Sequence, residues 1–115
     1  MRAFYETYFG ATTNTKYVNS TKGFSSYFMT FPDGGPRLEL MQMPGIPDST
    51  NNALTQFLGL IHFAISVGSD AAINALTERL RANGYVIVGE SRQTRDGYYE
   101  SVVLDPKKNR IEITA

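Results

Sequence analysis

Three positions in this chain pair a chemically useful side chain with a strand context that isolates it: His62, Glu39 and Glu112. Each sits between apolar neighbours, in Ile61-His62-Phe63, Leu38-Glu39-Leu40 and Ile111-Glu112-Ile113. Successive side chains of a strand point to opposite faces, so the apolar neighbours share one face and the polar residue stands on the other. One imidazole nitrogen and two carboxylates make a mixed N/O donor set suited to a divalent ion such as Zn, Ni, Mn or Fe. Positions left open on that ion would take water or substrate. It would polarise a carbonyl and stabilise an enediolate or similar oxyanion. Glu112 or Glu39 would then carry a proton between adjacent carbons. Arg37 shares the face of Glu39 by alternation and is a candidate for holding a substrate carboxylate bidentately. Taken singly, a glutamate on a polar strand face is ordinary solvated surface, and an only histidine is more often structural than a ligand.

What lifts these residues above that background is an internal repeat. In the second half, Leu60 to Val67 alternates, with Ile61, Phe63, Ile65 and Val67 on one face. Asp70 is the expected N-cap of a helix whose apolar stripe falls at positions 72, 73, 76 and 80, and Asn83-Gly84 ends it. Strands follow over Tyr85–Val88, Tyr98–Leu104 and Arg110–Thr114. The first half repeats most of this plan. A helix runs through Phe9 to Gly10, a weaker extended segment lies near Tyr17, and strands run over Phe24–Phe31 and Arg37–Met41. The register agrees: Gly10 to Glu39 spans 29 positions (39 − 10) and Gly84 to Glu112 spans 28 (112 − 84).

The expected fold is therefore α+β, with paired βαβββ modules. The first module, residues 1–43, lacks its opening strand, because the counterpart of His62 would precede Met1. A linker over 44–59, rich in Pro, Asn, Ser and Thr, leads to the second module at 60–115. It is long for a plain connector and is expected to cover a pocket or reach a partner chain. Met1 to Gly10 reads as a helix without an N-cap, so the chain is expected to start inside an element.

Composition excludes other classes. Eleven basic and eleven acidic residues balance, which argues against nucleic acid or an anionic membrane as partner. No cysteine is present, so disulfides, thiolate ligands and a cysteine nucleophile are excluded and a cytoplasmic setting is expected. The longest apolar stretch, Leu58 to Val67, is too short to cross a bilayer. No Gly-rich phosphate loop or nucleophile elbow occurs. Asp105-Pro106-Lys107-Lys108-Asn109 reads as a turn rather than a basic patch.

Several of these segments resemble the glyoxalase I, bleomycin-resistance and extradiol-dioxygenase (vicinal oxygen chelate) superfamily. The likeness runs through Arg2 to Gly10, Leu38-Glu39-Leu40-Met41, Gly59 to Ile65, and Leu104-Asp105-Pro106 with Asn109 to Ile113. It implies two βαβββ modules whose curved mixed sheets together form one domain around a metal or ligand pocket. It also implies a glyoxalase I-like metal-dependent lyase or isomerase acting on a small carbonyl or hemithioacetal substrate. Glu39, His62 and Glu112 match three of that family's metal ligands, and a fourth, from the first strand, has no counterpart here. A homodimer is implied too. The alternative is a metal-free small-molecule binder of the bleomycin-resistance sort.

Overall fold

Helix α1 (Arg2–Phe9) stops at Gly10, which takes the left-handed conformation (φ 63°) and donates its N–H to the Tyr5 carbonyl. A Cβ at that residue would be strained and would stand 3.2 Å from Pro32 Cγ. The helix begins at Met1 with no side-chain cap. It buries Phe4, Tyr5 and Phe9, whose rings form a cluster with centroids 5.1 to 6.0 Å apart. The computed structural model describes residues 1–115 and is α+β, with two curved sheets. It divides into two units, Met1–Thr50 and Asn51–Ala115.

In the first unit, β3 (Phe24–Thr30) is central. Its partner on one side is broken into β1 (Thr12–Thr13) and β2 (Tyr17–Asn19), with Thr12 opposite Thr30 and Tyr17 opposite Ser26. Asn14 fills the break: its N–H donates to the Phe28 carbonyl and its Oδ1 accepts the Phe28 N–H at 2.8 Å. The single extended segment expected near Tyr17 is thus two short pieces. On the other side lies β4 (Leu38–Gln42), with Phe28 opposite Glu39 and Tyr27 opposite Leu40. The first element of this unit is α1.

The second unit has a mixed sheet in the order β5-β8-β7-β6. Strand β5 (His62–Ser66) runs parallel to β8 (Arg110–Thr114); β8 is antiparallel to β7 (Tyr99–Leu104), and β7 to β6 (Ile87–Gln93). Helix α2 (Asp70–Ala82) connects β5 to β6. Its N-cap is Ser69 rather than Asp70. Ser69 has extended dihedrals, and its Oγ accepts the Ala72 N–H at 3.1 Å, which leaves Asp70 in the first turn where its charge suits the helix dipole. Strand β6 lies further along the chain than Tyr85–Val88. Register shifts around Gly89 carry the pairing on, so that Arg92 meets Glu100 and Gln93 meets Tyr99.

Register assigns the faces of this sheet. Phe63, Ile111 and Val103 lie side by side, as do Ile65, Ile113 and Ser101. Ser101 meets α2 through a 2.7 Å hydrogen bond with Thr77, whose hydroxyl also donates to the Ile73 carbonyl. Thr77, Ile73 and Leu80 are the buried residues of α2. The helix therefore covers the apolar face, and His62, Ala64, Arg110, Glu112, Val102 and Glu100 share the opposite one. The β7–β8 turn is tied by Asp105, whose Oδ1 accepts the N–H groups of Lys107 and Asn109 while Oδ2 accepts Asn109 Nδ2.

Candidate functional site

The uncovered face of the second sheet brings two of the expected residues together. His62 opens β5, and Glu112 stands diagonally across on β8, with Nε2 and Oε2 3.3 Å apart. Glu112 is largely buried at 20% side-chain exposure, whereas His62 keeps 45%. Parallel pairing sets this contact, because it places His62 beside Arg110 and Ala64 beside Glu112. Ala64 has no bulk to block the diagonal.

A third ionisable residue joins them that sequence reasoning passed over. Glu100, on β7, is near enough to Glu112 for the two carboxyls to interact and lies 3.8 Å from the Arg92 guanidinium across the β6–β7 pair. Burial is the first cause that pushes the Glu100 carboxyl above the usual carboxylate range, followed by the charge and hydrogen bond of Glu112; Arg92 pulls the other way. The signal was available. Glu100 alternates with Ser101, which belongs to the covered face, so it falls on the same side of the sheet as Glu112. Arg92, Glu100, Glu112 and His62 thus cross the sheet as a continuous polar row, one residue from each strand.

Beside this row is an open hollow of about 480 Å³, floored by Ala64, Glu112 and Thr114 and walled by Arg92, Glu100 and Tyr98. Tyr98 presents an exposed ring there. The hollow offers carboxyls and one guanidinium on a partly apolar floor, which suits a small polar molecule.

The remaining expected residues lie in the first unit. Glu39 on β4 is exposed and belongs to the same sheet face as its register partner Phe28. Arg37 places its guanidinium 4.6 Å from the centroid of the Phe28 ring, a cation–π contact. Within neither unit do three His, Asp or Glu side chains converge around a common point. The His62–Glu112 pair supplies two donors at the spacing of neighbouring ligands on one ion. Donors bound at about 2.1 Å in adjacent positions lie roughly 3.0–3.5 Å from each other, and an imidazole nitrogen with a carboxylate is a common zinc donor combination.

The family model described as Glyoxalase/Bleomycin resistance protein/Dioxygenase superfamily matches residues 1–113. No curated protein matches the chain. Among solved structures, a glyoxylase/bleomycin resistance protein/dioxygenase domain from Frankia sp. EAN1pec is similar with a TM-score of 0.79 at 17% identity, covering 98% of this chain and 84% of that one. The trypanothione-dependent glyoxalase I of Leishmania major is similar with a TM-score of 0.70 at 20% identity, over 97% of this chain and 73% of that one. Glyoxalase I from Zea mays gives 0.70 at 18% identity; this chain is covered to 98% and spans 38% of the maize chain. At these identities the structural likeness is one of fold.

Proposed function

The chain belongs to the Glyoxalase/Bleomycin resistance protein/Dioxygenase superfamily, and from that premise we propose that it is a glyoxalase I-like metal-dependent lyase or isomerase. Its substrate class is a small carbonyl or hemithioacetal compound. The observation that carries this reading is the His62–Glu112 pair, an N/O donor set held 3.3 Å apart, of which Glu112 lines an open hollow.

His62 and Glu112 would hold a divalent ion, which when bound polarises a substrate oxygen and lowers the barrier to proton loss from the neighbouring carbon. Glu112 is also placed to take up or return that proton, because its carboxyl faces the hollow. Arg92, at the hollow's wall, offers a cation to the developing negative charge of a substrate oxygen. Glu39, the register equivalent of Glu112, is proposed as a metal donor or proton carrier by the family likeness. Arg37 is proposed as a substrate contact; its stacking on Phe28 keeps the guanidinium oriented while leaving it in water. Pairing of two copies of the chain belongs to the same reading.

Metal analysis tests it. Purified protein is expected to retain a divalent ion, or to take one up on titration with zinc, nickel or manganese, and His62→Ala is expected to lose it. Absence of binding by any of these ions ends the metal-dependent reading. A metal-free small-molecule binder is the second reading, and the exposed Tyr98 ring beside the open hollow is the observation that speaks for it. A thermal shift by a small aromatic or cationic compound that persists in chelator supports it.

A further inference from the structure

Arg110 occupies a place in the second unit that neither the metal-binding pair nor the hollow explains. It lies two residues before Glu112 on the same face, and its backbone is in register with His62. Its guanidinium carries no ion pair in this structure. Instead Nη2 donates to the Leu54 carbonyl at 2.8 Å and Nε donates to the Ala53 carbonyl at 3.3 Å. One residue therefore closes the loop from Leu54 to Ile61 at both of its ends: the side chain holds the start, and the strand backbone holds the end, where β5 begins at His62.

This closure has a visible cost. The loop shows Phe57 half exposed and Leu58 and Leu60 almost wholly exposed, so it buries little that would hold it in place. Gly59, at φ 108°, holds a backbone conformation that a side chain would strain. With so little packing, the two guanidinium bonds tie the loop's start to β8, while the bonds from the Leu54 and Thr55 N–H groups to Asn52 stay local, and His62 is the first residue after the loop to be paired. Freedom in the loop passes directly to the backbone that carries the imidazole.

We propose that Arg110 is the positioning residue of His62, fixing the imidazole against Glu112 by closing the Leu54–Ile61 loop on the edge of the sheet. The repeat supplies a contrast inside the chain. Arg37 stands two residues before Glu39 as Arg110 does before Glu112, yet it rests on the Phe28 ring, because no loop carbonyls are tied to it. A guanidinium is suited to the Arg110 task because its planar fork meets two neighbouring carbonyls at once, which an ammonium does less well. The assignment rests on the reading of His62–Glu112 as the site, but its test does not require turnover.

His62 is the only histidine in the chain, so its reaction with diethyl pyrocarbonate, followed by peptide mass spectrometry, reports one imidazole. Wild type, Arg110→Met, Arg110→Lys and Lys22→Met, an equal loss of charge in the other unit, are compared after circular dichroism confirms folding. The expected result is a several-fold change in the His62 modification rate in Arg110→Met, partial return towards wild type in Arg110→Lys and no change in Lys22→Met. Faster proteolytic cleavage between Leu54 and Leu60 in Arg110→Met should accompany it. A folded Arg110→Met with wild-type rates of both modification and cleavage overturns the proposal; if Arg110→Met fails to fold, wild-type rates in Arg110→Lys overturn it. Zinc titration of the same proteins separates the two readings. A wild type that binds no metal while Arg110→Met changes His62 reactivity removes the lyase reading and leaves the positioning role standing.

Discussion

Nε2 of His62 lies 3.3 Å from Oε2 of Glu112, although α2, β6 and β7 all intervene between their strands in the chain. The contact exists because β5 and β8 are parallel neighbours, a pairing that a hairpin cannot make and that needs a long crossover. The crossover helix covers one face of the sheet and leaves the other to these two side chains.

Removing the carboxylate from that pair should weaken metal binding more than it weakens the fold. Glu112→Gln is expected to lower zinc affinity by about tenfold or more, equivalent to roughly 1.4 kcal/mol, because the amide keeps the shape but not the charge. Isothermal titration measures this, and a melting temperature near that of wild type should accompany it.

The pH response of stability should carry the mark of Glu100. Its folded carboxyl is raised above the usual 4.5, first by burial and then by Glu112, with Asp96 adding and Arg92 opposing. The folded state therefore holds this proton more tightly than the unfolded chain does. Its contribution is fully present below pH 4.5 and is lost as pH rises through the raised value. Glu100→Gln is expected to flatten that fall and to raise the melting temperature at neutral pH relative to wild type. Thermal melts from pH 4 to 8 (roughly the carboxylate-to-neutral range) check it; a wild-type slope in the variant contradicts it.

Inside the second unit, the buried Thr77–Ser101 hydrogen bond ties α2 to β7. Thr77→Val should cost about 1–3 kcal/mol in urea unfolding, since it leaves the Ser101 hydroxyl without its partner. Adding Ser101→Ala should return part of that loss, because both ends then become apolar.

The turn into β8 is held by one carboxylate. Asp105→Ala removes three acceptor contacts, to Lys107 N, Asn109 N and Asn109 Nδ2, and should cost roughly 2–3 kcal/mol. Asp105→Asn keeps an acceptor for the backbone groups and should cost less. Chemical denaturation of the two variants ranks them.

Much of the architecture was legible because the chain repeats itself and its punctuation is strong. Gly10 and Asn83-Gly84 end their helices where expected, and the alternation in Ile111-Glu112-Ile113 assigns its faces correctly. What local pattern missed depended on partners. Strand β6 has polar residues that pair only because Gly89 permits a shift against Val102, and the apolar run alone ended too early. Thr77 was left out of the helix stripe because it is polar; its burial depends on Ser101, a residue far along the chain. For Glu100, alternation with Ser101 carries the face, but that β7 pairs beside Glu112 is not local information. The His62–Glu112 contact was expected as part of a larger set, and its distance is a property of parallel pairing that sequence spacing does not encode.

The inner place of β8 has a further consequence for how the protein is made. It is the last strand of its unit to leave the ribosome, yet it must slot between β5 and β7, which emerge earlier. Until it does, β5 has no strand neighbour, and α2 has only part of the sheet to rest on. This unit therefore cannot close until β8 has been made, and a nascent chain stalled ahead of Arg110 holds an imidazole with no carboxylate to meet it.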